Sequence, residues 1–145
     1  METLLISACL AGFECKYCGG SNKLPEEVLE KLKAGYRLIT ACPETAGGLP
    51  TPREPSEIRG ERVVSRVGDD VTAQYIKGAE LSLWLCRKYG CKKALMKEQS
   101  PSCGSGIIYD GSFSAKLVPG YGVAAAMLKE HGVQVLGESR VDELI

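Results

Sequence analysis

Residues 4–12 read Leu4-Leu5-Ile6-Ser7-Ala8-Cys9-Leu10-Ala11-Gly12. The first five make a short apolar run that ends at turn-forming residues. Such a run, lacking polar alternation, suits a strand covered on both faces in a parallel sheet. Cys9 then falls where that strand ends.

Two further runs repeat the pattern. Tyr36–Ala41 reads as a second buried strand and is followed at once by Cys42. Lys93–Lys97 reads as a third, with Cys103 in the Ser/Gly-rich loop Glu98–Gly106 beyond it. Val133–Leu136 supplies a fourth. Helical stretches separate them. Pro25–Lys33 has a first-turn proline, Glu26 and Glu27 at its start, basic residues at its end and Gly35 as a stop. Asp70–Tyr89 places Val71, Tyr75, Ala79, Leu83 and Cys86 near one face, with Gly90 as the C′ residue. Gly122–His131 is the third helix, and Val141–Leu144 a terminal helical turn.

The order β-α-β-α-β-α-β predicts an α/β fold. It is a small, mostly parallel, Rossmann-like sheet with helices on both faces, in one domain over residues 1–145. Insertions decorate it. Cys42-Pro43-Glu44 opens a long loop running past Pro55. Glu57–Ser65 reads as a hairpin turning at Gly60, and Ile107–Phe113 as a second turning at Asp110-Gly111.

The 145 residues are 44% hydrophobic and 25% charged, the balance of a globular chain. Lys plus Arg and Asp plus Glu both number 18, so no basic excess points to a nucleic-acid polymer as partner. No apolar run approaches the length of a membrane span, and Met1-Glu2-Thr3 lacks a basic leader region. These features predict a cytoplasmic protein, a monomer or homodimer, with no membrane partner. Seven cysteines, an odd number, do not suit a disulfide scaffold.

The chemistry is expected where the strands end. In open α/β sheets, ligands bind in the crevice beyond the carboxyl ends of the strands. Cys9, Cys42 and Cys103 all follow predicted strands, so one sheet edge collects all three. Converging thiolates repel each other unless a cation lies between them. Sulfur ligands select zinc, copper(I) or iron–sulfur clusters. Clusters are usually held by four cysteines, and a set of three leaves one iron open to substrate. Glu44, two positions after Cys42, is the candidate general acid/base. Ser100-Pro101-Ser102-Cys103-Gly104 places hydroxyls beside the third thiol.

Other residues carry less. Cys15 and Cys18 form a CxxC pair that reads as structural, or as an alternative ligand, redox or zinc pair. Cys86 and Cys91 read as core. Arg53 either binds an anionic group or pins the long loop through a carboxylate. Glu138 follows the fourth strand and reads either as approaching the same crevice or, the favoured reading, as part of a solvated turn; His131 is assigned no chemistry. Gly104-Ser105-Gly106 lacks the third glycine of a dinucleotide fingerprint.

Three motifs in order carry a resemblance. They are Ser7-Ala8-Cys9-Leu10-Ala11-Gly12 with Cys15 and Tyr17; Cys42-Pro43-Glu44 with Gly47-Gly48-Leu49 and Pro52-Arg53; and Ser100-Pro101-Ser102-Cys103-Gly104. Together they resemble the thiouracil desulfidase family over nearly the whole chain. The resemblance implies a [4Fe-4S] enzyme that removes sulfur from a thiolated pyrimidine such as 2-thiouracil, or from a similar small thiocarbonyl, releasing sulfide. It implies Cys9, Cys42 and Cys103 as cluster ligands, with the sulfur taken by the open iron. It implies Glu44 as the proton-transfer residue and Ser100 as a residue positioning substrate or water. The chain departs from the family pattern at Cys18, where an aspartate is expected. A rival expectation is a non-catalytic iron–sulfur or zinc protein that stores or delivers sulfur.

Overall fold

A computed structural model describes all residues from Met1 to Ile145. Strand β1 spans Glu2–Ser7, and its Leu4, Leu5 and Ile6 are wholly buried. Helix α1, Glu26–Gly35, leads directly into β2, Tyr36–Ala41. A short helix α2, Pro43–Ala46, comes next, then the hairpin strands β3, Ser56–Arg59, and β4, Arg62–Ser65. Helix α3 covers Thr72–Tyr89 and ends on Gly90 in the left-handed conformation, φ 68°. Strand β5 is Lys93–Met96, and β6, Ser105–Tyr109, pairs antiparallel with β7, Leu117–Tyr121. Helix α4, Val123–Glu130, and strand β8, Gln134–Gly137, precede a 3-10 turn over Glu138–Glu143.

The main sheet has the order β2-β1-β5-β8 with every pair parallel. Alternation along β1 sends neighbouring side chains into opposite layers. Leu4 and Ile6 pack with Leu29 and Leu32 of α1, while Leu5 packs with Ala79 and Leu83 of α3 and Ala124 and Leu128 of α4. The expected α/β fold with helices on both faces is therefore what forms. The chain moves outward from β1 to β2, then returns to place β5 on the other side of β1. That reversal opens a crevice at the ends of β1 and β5.

The expectations for the insertions need correction. Cys42-Pro43-Glu44 does not open an irregular loop; Cys42 caps α2, and Pro43 takes its first position, where the missing N–H costs nothing. The second hairpin does not turn at Asp110-Gly111. Its strands are β6 and β7, joined by a loop over residues 110–116 that Asp110 N closes by donating to Lys116 O at 3.0 Å. β7 carries Pro119 and Gly120, residues that disfavour a strand interior but are tolerated in a two-stranded ribbon. The terminal turn begins at Glu138, not Val141. No helix is long and apolar enough to cross a membrane.

Cys86 and Cys91 are buried in the apolar layer under α3 and α4, as expected of core thiols. Burial pushes the Cys86 thiol up to about 12.

Candidate functional site

The end of β1 turns sharply. Ala8 N still pairs with Ala41 O at 2.8 Å, but Leu10 N and Gly12 N bond back to Ser7 O and Cys9 O. The following loop returns across the strand end, with Asn22 N donating to Cys9 O at 3.1 Å and Leu24 N to Leu10 O at 2.9 Å. The fold therefore sets the 11–23 loop against the end of β2. There the Cys42 thiol faces Cys15 O at 3.9 Å.

Helix α2 holds Cys42 and Glu44 by a backbone-to-backbone approach to α3. A Cβ at Gly78 would lie 1.7 Å from Pro43 O, and one at Gly47 would lie 1.9 Å from Gln74 O. Only glycines permit this contact, and it sets the direction in which Glu44 projects.

The third loop is held from below. Gly104 N bonds Ser100 O at 2.8 Å, and the first turn of α4 takes up carbonyls, with Val123 N on Pro101 O and Ala124 N on Ser102 O. Ser100 Oγ accepts from Ser102 N and Cys103 N, each at 3.1 Å, and shares a hydrogen bond with Ser102 Oγ at 2.9 Å. Ser102 Oγ donates to Glu44 Oε2 at 2.7 Å. Arg53 Nε donates to Glu44 Oε1 at 3.0 Å. The same guanidinium reaches Cys15 O at 2.8 Å and Thr51 Oγ1 at 3.0 Å. Of the two roles left open for Arg53, pinning the loop through a carboxylate is the one the structure displays.

These elements surround one cavity of about 540 Å³. Cys9, Cys42, Cys103, Glu44 and Ser100 all line it. Cys15 lines it as well, whereas Cys18 is exposed and does not, so the CxxC pair is split between cavity and solvent. Burial pushes the Cys103 thiol up to about 12, with a hydrogen bond from Ser7 opposing. Burial and the nearby Cys42 push Cys15 up to about 12. Cys9 is raised too, by burial first, with Asn22 opposing. Ionised thiolates here thus require a positive centre among them. Tyr75, buried beneath, is raised by its burial and by the adjacent Glu44 carboxylate.

Several lining residues had no assignment from sequence: Asn22, Lys97, Gln99, Tyr109 and Phe113. Each is an ordinary residue type without a motif, and only the fold brings it to the cavity. Glu138 is not simply solvated. Its carboxylate pairs with Lys97 Nζ at 2.7 Å and accepts from Glu98 N at 2.6 Å. His131 stays outside, its Nδ1 2.8 Å from Met127 O.

A doubly wound α/β protein with four thiols and a clamped carboxylate at the sheet's carboxyl edge belongs to a narrow class. Residues 4–140 match the 2-thiouracil desulfurase family, and the chain belongs to that family. It is 40% identical over 152 residues to the uncharacterized protein YbbK of Bacillus subtilis (strain 168), covering 98% of this chain and 99% of that one. A solved structure of the [4Fe-4S]-dependent thiouracil desulfidase TudS superposes with a TM-score of 0.95 at 48% identity, covering 99% of this chain and 95% of that one.

Proposed function

We propose that this protein is a [4Fe-4S]-dependent desulfidase acting hydrolytically on a thiolated pyrimidine, 2-thiouracil or a close relative. The observation that carries the reading is the cavity itself. In a member of this family, it joins several thiols to a carboxylate held by Arg53 and Ser102. The donor set fits an iron–sulfur cluster. Sulfur ligands favour such clusters, and Cys9, Cys42 and Cys103 line one cavity. No three of the His, Cys, Asp and Glu side chains draw together at the spacing of a single ion.

Cys9, Cys42 and Cys103 would hold the cluster, which when bound supplies an iron free of protein ligands to polarise the thiocarbonyl. The chain's own residues do the rest. Glu44 takes a proton from water as its oxygen adds to the ring carbon, then returns one as the C–S bond breaks. The overall balance is thiocarbonyl plus water giving carbonyl plus hydrogen sulfide. Arg53 and Ser102 each occupy one oxygen of Glu44 and fix its orientation. Ser100, bonded to Ser102 and to the Cys103 backbone, positions the loop against substrate and water. All seven cysteines are free, which supports a reducing, cytoplasmic setting.

The test is anaerobic reconstitution followed by 2-thiouracil. Uracil and sulfide should appear in equal amounts. A protein with a complete cluster that releases neither would refute the assignment and leave sulfur storage as the reading.

A further inference from the structure

Three non-glycine residues of the chain have positive φ: Gln99 at 67°, Phe113 at 57° and Ala115 at 62°. All three line the cavity that holds the thiols. Residues with a Cβ avoid this conformation, and it persists only where the surroundings over-determine it.

The surroundings do so here. Glu57, only 9% exposed, turns Oε1 to accept from Gly111 N at 2.9 Å and Phe113 N at 3.1 Å. Arg59 Nε donates to Gly111 O at 2.6 Å, and its guanidinium lies 5.5 Å from the centre of the Phe113 ring. A buried carboxylate and a stacked cation from the first hairpin thus fix the loop of the second. The half-buried Phe113 ring is outside the three apolar clusters that build the core. Gln99 bridges to Ile108 through the backbone, and Tyr109 Oη donates weakly to its Oε1 at 3.5 Å. The Gln99 amide N–H groups are left to donate elsewhere.

An aromatic face and an amide, both held in disfavoured backbone, make a wall suited to a flat ring with polar edges. We propose that Phe113 stacks on the substrate ring and that Gln99 reads its edge, so that this wall selects planar heterocyclic thiocarbonyls over acyclic ones. The proposal rests on the desulfidase reading for its substrate class, but its binding test does not need turnover.

The probe is uracil, which keeps the ring and cannot be desulfurised, titrated calorimetrically into anaerobically reconstituted protein. Phe113→Leu keeps apolar bulk and loses the π face, and should weaken uracil about tenfold, the scale of one stacked base. KM for 2-thiouracil should rise by a similar factor. Phe113→Tyr keeps the aromatic face and should bind uracil as the wild type does. Gln99→Leu should weaken uracil several-fold with an unchanged melting temperature. Wild-type affinity in both Phe113→Leu and Gln99→Leu overturns the wall while leaving the desulfidase reading intact. So does failure of the wild type to bind uracil while it still desulfurises 2-thiouracil. Uracil binding that depends on Phe113, without sulfide release from 2-thiouracil, keeps the wall and sinks the desulfidase.

Discussion

Ser102 Oγ donates to Glu44 Oε2 at 2.7 Å across 58 residues of chain, joining the loop after β5 to the helix after β2. The bond ties the Cys42 segment to the Cys103 segment through the carboxylate. Glu44→Gln keeps the size but removes the base, and its one amide oxygen can accept from only one of Arg53 and Ser102. It should lower kcat by about 10²–10⁴-fold, with iron and sulfide content unchanged. Ser102→Ala removes one hydrogen bond to a charged group and should cost about tenfold in kcat. Undiminished sulfide release from Glu44→Gln would remove the carboxylate from the mechanism.

Arg53 and Glu44 form an ion pair whose side chains are only 7% and 15% exposed. Breaking such a pair strands the other charge, at a cost of about 3 kcal/mol or more. Arg53→Ala should show that loss in urea unfolding. Arg53→Lys should recover less than half, because one ammonium cannot replace the fork that spans Glu44, Thr51 and Cys15. Full recovery by lysine would show that charge alone matters here.

The parallel sheet was legible because β1, β2, β5 and β8 are short apolar runs punctuated by turns, and because Cys9 and Cys42 abut strand ends. What escaped depends on contacts between distant segments. The 110–116 loop takes its shape from Glu57, 54 residues before Gly111, and no local signal reports that. Nor does sequence distinguish Ser100 from Ser102, two positions apart on one loop. Their roles divide only when the loop folds: Ser100 Oγ turns to backbone N–H groups, and Ser102 Oγ reaches Glu44. Helix α2 was hidden because Pro43 ends apolar patterns as readily as it starts a short helix.

The contact between Gly78 and α2 makes a structural prediction with a functional readout. A methyl group at Gly78 would lie 1.7 Å from Pro43 O, which is backbone and cannot swing aside. Gly78→Ala should destabilise the protein by about 1–3 kcal/mol or more, even though alanine is the better helix former. It should also displace Cys42 and Glu44, so iron incorporation should fall along with the melting temperature. If α2 does not depend on this contact, the variant will melt higher than the wild type.

The four thiols of the cavity provide the sharpest separation. If Cys9, Cys42 and Cys103 are the ligands, changing any one to serine should remove most iron and acid-labile sulfide and bleach the visible absorption. Cys15 lines the same cavity, its backbone held by Arg53, yet it lies on the 11–23 loop instead of at a strand end. Cys15→Ser should retain the iron, with a changed electron paramagnetic resonance spectrum if its thiol approaches the open iron. Cys18→Ser, on the solvent side, should alter neither. Iron loss in Cys15→Ser equal to that in Cys9→Ser would make Cys15 a ligand. The cluster would then have four cysteines and no open iron, and a hydrolytic role for it would have to be abandoned.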